Sequence, residues 1–167
     1  WRDAAAWREL RSSLALEVHL MVEHPEQIAE EWLAAGAKRL VVHAETLHES
    51  VREKLAALVK EYGATLMIAL SPEIPAEEAL LFVPFTTEFQ VLAVHPGLAG
   101  QPFLPLALEK IKAIRREIPS ATIEVDGGIT PDVARRAKEA GADIAVSASY
   151  IWSGENPRGR YQELCDM

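Results

Sequence analysis

Apolar runs of strand length alternate with segments of helical period along the whole of this chain. The strand-like runs cover residues 14–22 (LALEVHLMV), 39–43 (RLVVH), 65–70 (TLMIAL), 89–94 (FQVLAV), 122–125 (TIEV) and 143–147 (DIAVS). Helical patterns cover 2–12, 25–35, 48–62, 76–82, 106–117, 131–140 and 157–164. Three joints share one form: AAGAKR, EYGATL and EAGADI each place a glycine between a helix and the next strand. A glycine there accepts the left-handed conformation that closes a helix. A proline near a helix start loses no N–H that the helix needs. Strict β–α alternation implies parallel strands joined by right-handed crossovers. The near-continuous apolar strands belong in a sheet covered by helices. The expectation is one α/β domain over residues 1–167 with six parallel strands and no linker or low-complexity segment.

Composition narrows the function classes. A chain that is 49% hydrophobic and 25% charged has the material for a globular core. Its formal net charge of -8 argues against a nucleic-acid surface. An anionic substrate stays open, because backbone amides and metal ions bind phosphate inside acidic proteins. No apolar run reaches the length of a membrane span, and no signal peptide is visible. The one cysteine, Cys165, excludes a disulfide framework and fits a reducing cytoplasm.

Parallel strands bring their C-terminal ends to one face, and those ends carry the chemistry. Ile123-Glu124-Val125-Asp126-Gly127-Gly128-Ile129 ends an apolar run in a carboxylate followed by two glycines. A barrel enzyme presents an acid or a metal ligand in this way. The bland alternative is a tight turn with a capping Asp. Glu17 and His19 share one side of their strand, since neighbours two apart point the same way. His19 and Asp126 at one end of the sheet form a donor pair that a borderline divalent metal accepts. His43 taken alone reads as a hydrogen-bonded core histidine, His24 and His48 as solvated. Glu45 serves either the site or the cap of the following helix. The loop His95-Pro96-Gly97-Leu98-Ala99-Gly100-Gln101, with Gly127, Gly128 and Ser149, exposes successive N–H groups as a nest for phosphate.

These segments carry a resemblance. EVHLMV (17–22), VHAE (42–45), HPGLAGQPF (95–103), EVDGGI (124–129) and SAS (147–149) resemble, in order and spacing, the motifs of ribulose-phosphate 3-epimerases. The resemblance implies a TIM-barrel (β/α)₈ fold, here incomplete with about six strands. It implies inversion at C3 of a pentulose 5-phosphate by two carboxylates, one on each face of the substrate. It also implies a divalent metal (Zn, Fe, Mn or Co) held by two His and two Asp. Asp126 matches an acid/base aspartate and metal ligand, and His19 a metal ligand at the substrate site. Gly97, Leu98, Ala99, Gly100, Gly127, Gly128, Ala148 and Ser149 match phosphate-side positions, and Met21 a residue lining the site. The implied setting is the cytoplasmic pentose phosphate pathway, in a homo-oligomer with a sugar-phosphate substrate and no nucleic-acid or membrane partner.

The departures shape the expectation. The chain starts at Trp1, where the family pattern has two further strands carrying the other metal His and the other catalytic Asp. Half of the expected ligand set is therefore absent, and this chain alone is expected to be inactive. Ala99 and Ala148 stand where the family usually has glycine, and Glu17 where it often has Asp. The longer Glu17 is expected to alter hydrogen bonding to His19. An epimerase for another ketose phosphate, such as allulose 6-phosphate, would use the same motifs. So would a noncatalytic phosphate-binding homologue.

Overall fold

The computed structural model describes residues 3–9, 12–97 and 100–167. Six strands, β1 (Leu16–Leu20), β2 (Ala37–His43), β3 (Thr65–Leu70), β4 (Glu88–Leu92), β5 (Thr122–Asp126) and β6 (Ile144–Val146), form one sheet in sequence order. Every pairing is parallel. The helices are α1 (Ala4–Glu9), α2 (Ala29–Ala34), α3 (Glu49–Glu61), α4 (Leu106–Glu117), α5 (Pro131–Ala140), α6 (Ser149–Trp152) and α7 (Pro157–Cys165).

The predicted alternation is present, with local differences that have local causes. The helix predicted over 25–35 opens as a 3₁₀ turn at Pro25–Gln27 and becomes α-helical only at Ala29. The segment Ala76–Phe82 is 3₁₀ throughout, between Pro75 and Pro84, with no side chain capping its start. Helix α6 carries too few residues to show a period, and sequence reading missed it. Strand β6 is shorter than predicted at its start, where Asp143 keeps one ladder bond, its N–H donating to the Ile123 carbonyl at 2.8 Å, and replaces the other with its side chain. Its carboxylate accepts the Ile123 N–H at 2.8 Å and pairs with Arg115 at 2.7 Å. Arg115 also donates to the carbonyls of Gly141, Pro119 and Ala121, which ties the end of α4 to the α5–β6 joint. Helix α5 obeys its sequence signals closely. The Thr130 hydroxyl accepts the Val133 N–H, Pro131 starts the helix, and Gly141 closes it at φ 112°.

Alternate strand residues face opposite sides. Val18, Leu20, Leu40, Val42, Ile68, Phe89, Val91, Ile123 and Val125 face the helices in the main core, packed with Leu55, Ile111, Ile114 and Ala137. The other face is a concave interior with only a small apolar cluster, Val41, Met67 and Ala69. Below that cluster the interior is polar. Arg39 bridges Glu17 at 2.7 Å and Glu88 at 2.6 Å, and Gln90 donates to Glu124 at 2.6 Å. Among the described residues, strands β1 and β6 each pair on one side only.

Candidate active site

Asp126 ends β5, and Gly127 and Gly128 turn the chain away from the sheet at φ 118° and 64°. Packing also demands these glycines. A Cβ on Gly127 would lie 2.7 Å from a methyl of Val94, and one on Gly128 would lie 2.6 Å from the backbone nitrogen of Phe103. Real Cβ contacts are not that short, so the loop before α4 seats directly on the Gly-Gly turn.

A cavity of about 680 Å³ opens at the C-terminal ends of β4, β5 and β6. Met21, Asp126, Gly97, Gly100, Gly127, Gly128, Ala148 and Ser149 line it, whereas His19, grouped with them in the sequence, does not. Leu98 and Ala99, also expected there, lie outside the described residues. No lysine or arginine lines the cavity among the described residues, and Asp126 is its one carboxylate. Its polar lining includes Thr130, Ser149 and Ser153, while the Tyr150 hydroxyl donates to Glu163.

His19 faces Asp126 from β1, its Nδ1 4.0 Å from Oδ2. That gap is too wide for a hydrogen bond. It is also wider than the roughly 3.4 Å that a tetrahedral ion with bonds of about 2.0–2.2 Å sets between two of its donors. By chemical type, a neutral imidazole and a carboxylate are donors that a borderline divalent cation accepts. Among the described residues, no group of three or more His, Cys, Asp or Glu is arranged to hold a metal ion.

Burial and the neighbouring His43 lower the His19 pKa to about 4, so the ring is neutral near pH 7 and one nitrogen keeps a lone pair. Burial raises the Asp126 carboxyl, and the Glu17 charge adds to the rise, while the Gly127 N–H opposes both. Glu17 itself is turned to Arg39. The substitution at Glu17 thus acts on Asp126 through charge, and its carboxylate is engaged away from His19.

Sequence reading missed the contacts behind His19. The Nε2 atoms of His19 and His43 are 2.9 Å apart. His43, read alone as a core histidine, is buried as that reading requires, yet it backs the site. Its Nδ1 lies 3.3 Å from Glu45, and Glu45 accepts the Ser71 hydroxyl at 2.5 Å. Burial alone would raise the Glu45 carboxyl. Hydrogen bonds from Ser71, its own backbone and His43 outweigh that and hold it below the usual carboxylate value. Lys110 reaches in from α4 and donates to the Ser71 carbonyl at 2.6 Å, fixing the end of β3. The VHAE motif was the available sequence signal for this group. The tertiary contacts of Ser71 and Lys110 left none.

A parallel sheet with covering helices outside, a polar interior and the reactive side chains at its C-terminal edge defines a TIM-type barrel architecture. The 3-hexulose-6-phosphate synthase of Salmonella typhimurium superimposes with a TM-score of 0.76 over 96% of this chain and 76% of that one, at 18% identity. The chain belongs to the ribulose-phosphate 3-epimerase family, whose model matches residues 4–152. It is 37% identical over 151 residues to the ribulose-phosphate 3-epimerase of Chlamydia trachomatis, and 39% identical over 151 residues to that of Chlamydia muridarum. Each alignment covers 87% of this chain, and 64% and 65% of those two proteins. Among the described residues, no helix is long and apolar enough to cross a membrane.

Proposed function

We propose that this chain forms the phosphate-holding and half-catalytic part of a ribulose-phosphate 3-epimerase. The reaction is the interconversion of ribulose 5-phosphate and xylulose 5-phosphate by proton transfer at C3. The observation that carries the reading is Asp126, the one carboxylate among the described residues lining a glycine-edged cavity, 4.0 Å from His19. Family membership supports it.

The substrate phosphate is held by backbone at Gly97, Gly100, Gly127, Gly128 and Ala148, and by the Ser149 hydroxyl. The ketose chain then runs toward Asp126, with Met21 against it. Asp126 takes the C3 proton from one face of the substrate and returns one to that same face in the reverse reaction. Burial raises its pKa in the cation-free chain, and a cation held by the same carboxylate would oppose that rise. A divalent cation held by His19 and Asp126 would supply positive charge to the enediolate oxygens.

Inversion needs a second acid on the opposite face. Glu17 is paired with Arg39, and Glu45 with Ser71 and His43, and neither lines the cavity. The chain by itself therefore does not invert C3. The single carboxylate also favours, for this chain alone, phosphate binding without turnover. The proposed setting is cytoplasmic, and the proposed assembly is a homo-oligomer.

The test is conversion of ribulose 5-phosphate with added Zn, Mn, Fe or Co. The 167-residue chain is compared with a version extended to the length of the curated relatives. Turnover only in the longer protein supports the reading. Robust turnover by the short chain overturns the assignment of a single acid. A preference for allulose 6-phosphate in the longer protein would reassign the substrate within the same chemistry.

A further inference from the structure

We propose that Glu45, acting through His43, fixes the tautomer of His19 so that Nδ1 is the bare nitrogen turned toward Asp126. This rests on the reading of His19 as a donor to a cation, but its first test needs no cation.

The argument follows the protons from the carboxylate inward. Ionised Glu45 has no proton to give, and the Ser71 hydroxyl spends its proton on Glu45. The two groups near His43 Nδ1, Glu45 at 3.3 Å and the Ser71 oxygen at 3.5 Å, are thus both acceptors. His43 Nδ1 carries a proton. In a neutral His43 ring, Nε2 is then bare and accepts from His19 Nε2 at 2.9 Å. His19 in turn must be protonated at Nε2, which leaves its Nδ1 lone pair facing Asp126 Oδ2 at 4.0 Å. With His43 neutral, each hydrogen bond forces the direction of the next. A doubly protonated His43 would reverse the bond between the two rings and leave the proton on His19 Nδ1, the outcome that overturns the proposal in the metal-free spectra. Glu45 and His43 are positioning residues in this arrangement. They touch neither substrate nor cation. A ligand histidine that donates its other N–H to a fixed acceptor is a recurrent way to orient a metal site. Here the acceptor is a second imidazole, whose own state is set by a carboxylate one step further back.

The experiment is nitrogen-15 NMR of histidine-labelled protein, metal-free, in the wild type and in Glu45→Gln and His43→Phe variants. In the wild type, His19 should show a protonated Nε2 and a bare Nδ1. In Glu45→Gln the amide can donate as well as accept, so His19 should show both tautomers or the inverted one. His43→Phe removes the acceptor and should also release the preference. Amide spectra of each variant establish that it is folded. If Glu45→Gln fails to fold, Glu45→Ala takes its place: it removes the carboxylate and frees the Ser71 hydroxyl to donate to His43 Nδ1, so His19 should again lose its preference. Wild-type His19 protonated at Nδ1, or an unchanged tautomer in a folded variant, overturns the proposal. Calorimetric titration with Mn or Co adds a second readout. The variants should bind about 10–100-fold more weakly than the wild type. A tautomer that shifts as expected, with no cation binding by a wild-type protein extended to family length, supports this proposal and overturns the metal part of the proposed function alone.

Discussion

His19 on β1 and Asp126 on β5 stand 4.0 Å apart although four strand-to-strand steps separate them. A flat sheet would hold these strands about 19 Å apart. The sheet is curled until its first and fifth strands present side chains to one another. That curl, rather than any local motif, creates the site.

Asp126→Asn removes the one carboxylate lining the cavity among the described residues. In the protein extended to family length, exchange of the C3 proton with solvent should fall by about 10²–10⁴-fold. The fold should be unaffected or slightly steadier at neutral pH, since burial disfavours the Asp126 charge. Proton exchange read by loss of deuterium from C3 and thermal unfolding check the two halves separately.

Glu124 should make stability depend on pH. Burial raises its carboxyl from 4.5 to about 7, against the hydrogen bond from Gln90. Between those values the folded chain holds more protons than the unfolded chain, so stability falls as pH rises. The contribution is fully present below about 4.5 and lost once pH passes about 7, and it amounts to about 3 kcal/mol if Glu124 titrates alone. Glu124→Gln keeps an oxygen to accept from Gln90 and removes the titration. Urea unfolding at pH 5 and pH 8 should show a smaller difference in the variant than in the wild type. An equal difference would falsify the assignment to Glu124.

Arg39 joins two carboxylates on the concave side of the sheet. Arg39→Met leaves Glu17 and Glu88 facing each other without a cation. The cost should be about 2–3 kcal/mol, below the 3–5 typical of fully buried pairs because this one is partly exposed. Combining it with Glu17→Gln and Glu88→Gln should recover most of the loss. Chemical denaturation of the single and triple variants measures both.

Gly128→Ala should damage both packing and binding. The new Cβ meets the Phe103 backbone at 2.6 Å and the residue sits at φ 64°, so the loop before α4 must move. A loss of about 2 kcal/mol or more is expected, from strain and clash together. Chemical-shift mapping with inorganic phosphate should perturb Gly97, Gly100, Gly127, Gly128 and Ser149 in the wild type. The variant should lose those perturbations. Unchanged phosphate shifts in Gly128→Ala would mean that the anion sits elsewhere.

Much of this was legible in the order of residues. Helix ends followed from Gly36, Gly63 and Gly141, and all three adopt positive φ. The parallel sheet followed from alternation, and the cavity lining from the glycines and hydroxyls at strand ends. The Gly-Gly turn was read as an approach for phosphate. Its packing against Val94 and Phe103 was invisible, because those contacts cross between segments. Glu45 could be read as a cap or a site residue, and its contacts with Ser71 and His43, outside the cavity lining, were not legible in the sequence.

The sequence by itself determined the elements, their parallel order and the face on which the chemistry collects. Periodicity, glycine stops and strand parity act over a few residues, and each is written locally. Tertiary structure alone decided which side chains meet. The contact of His19 with Asp126 depends on the accumulated curl of the sheet. The chain from Ser71 and Glu45 through His43 depends on adjacent strands and on Lys110 reaching in from α4. The direction of those hydrogen bonds, and so the nitrogen that His19 presents, is a property of the assembled network that no single segment encodes.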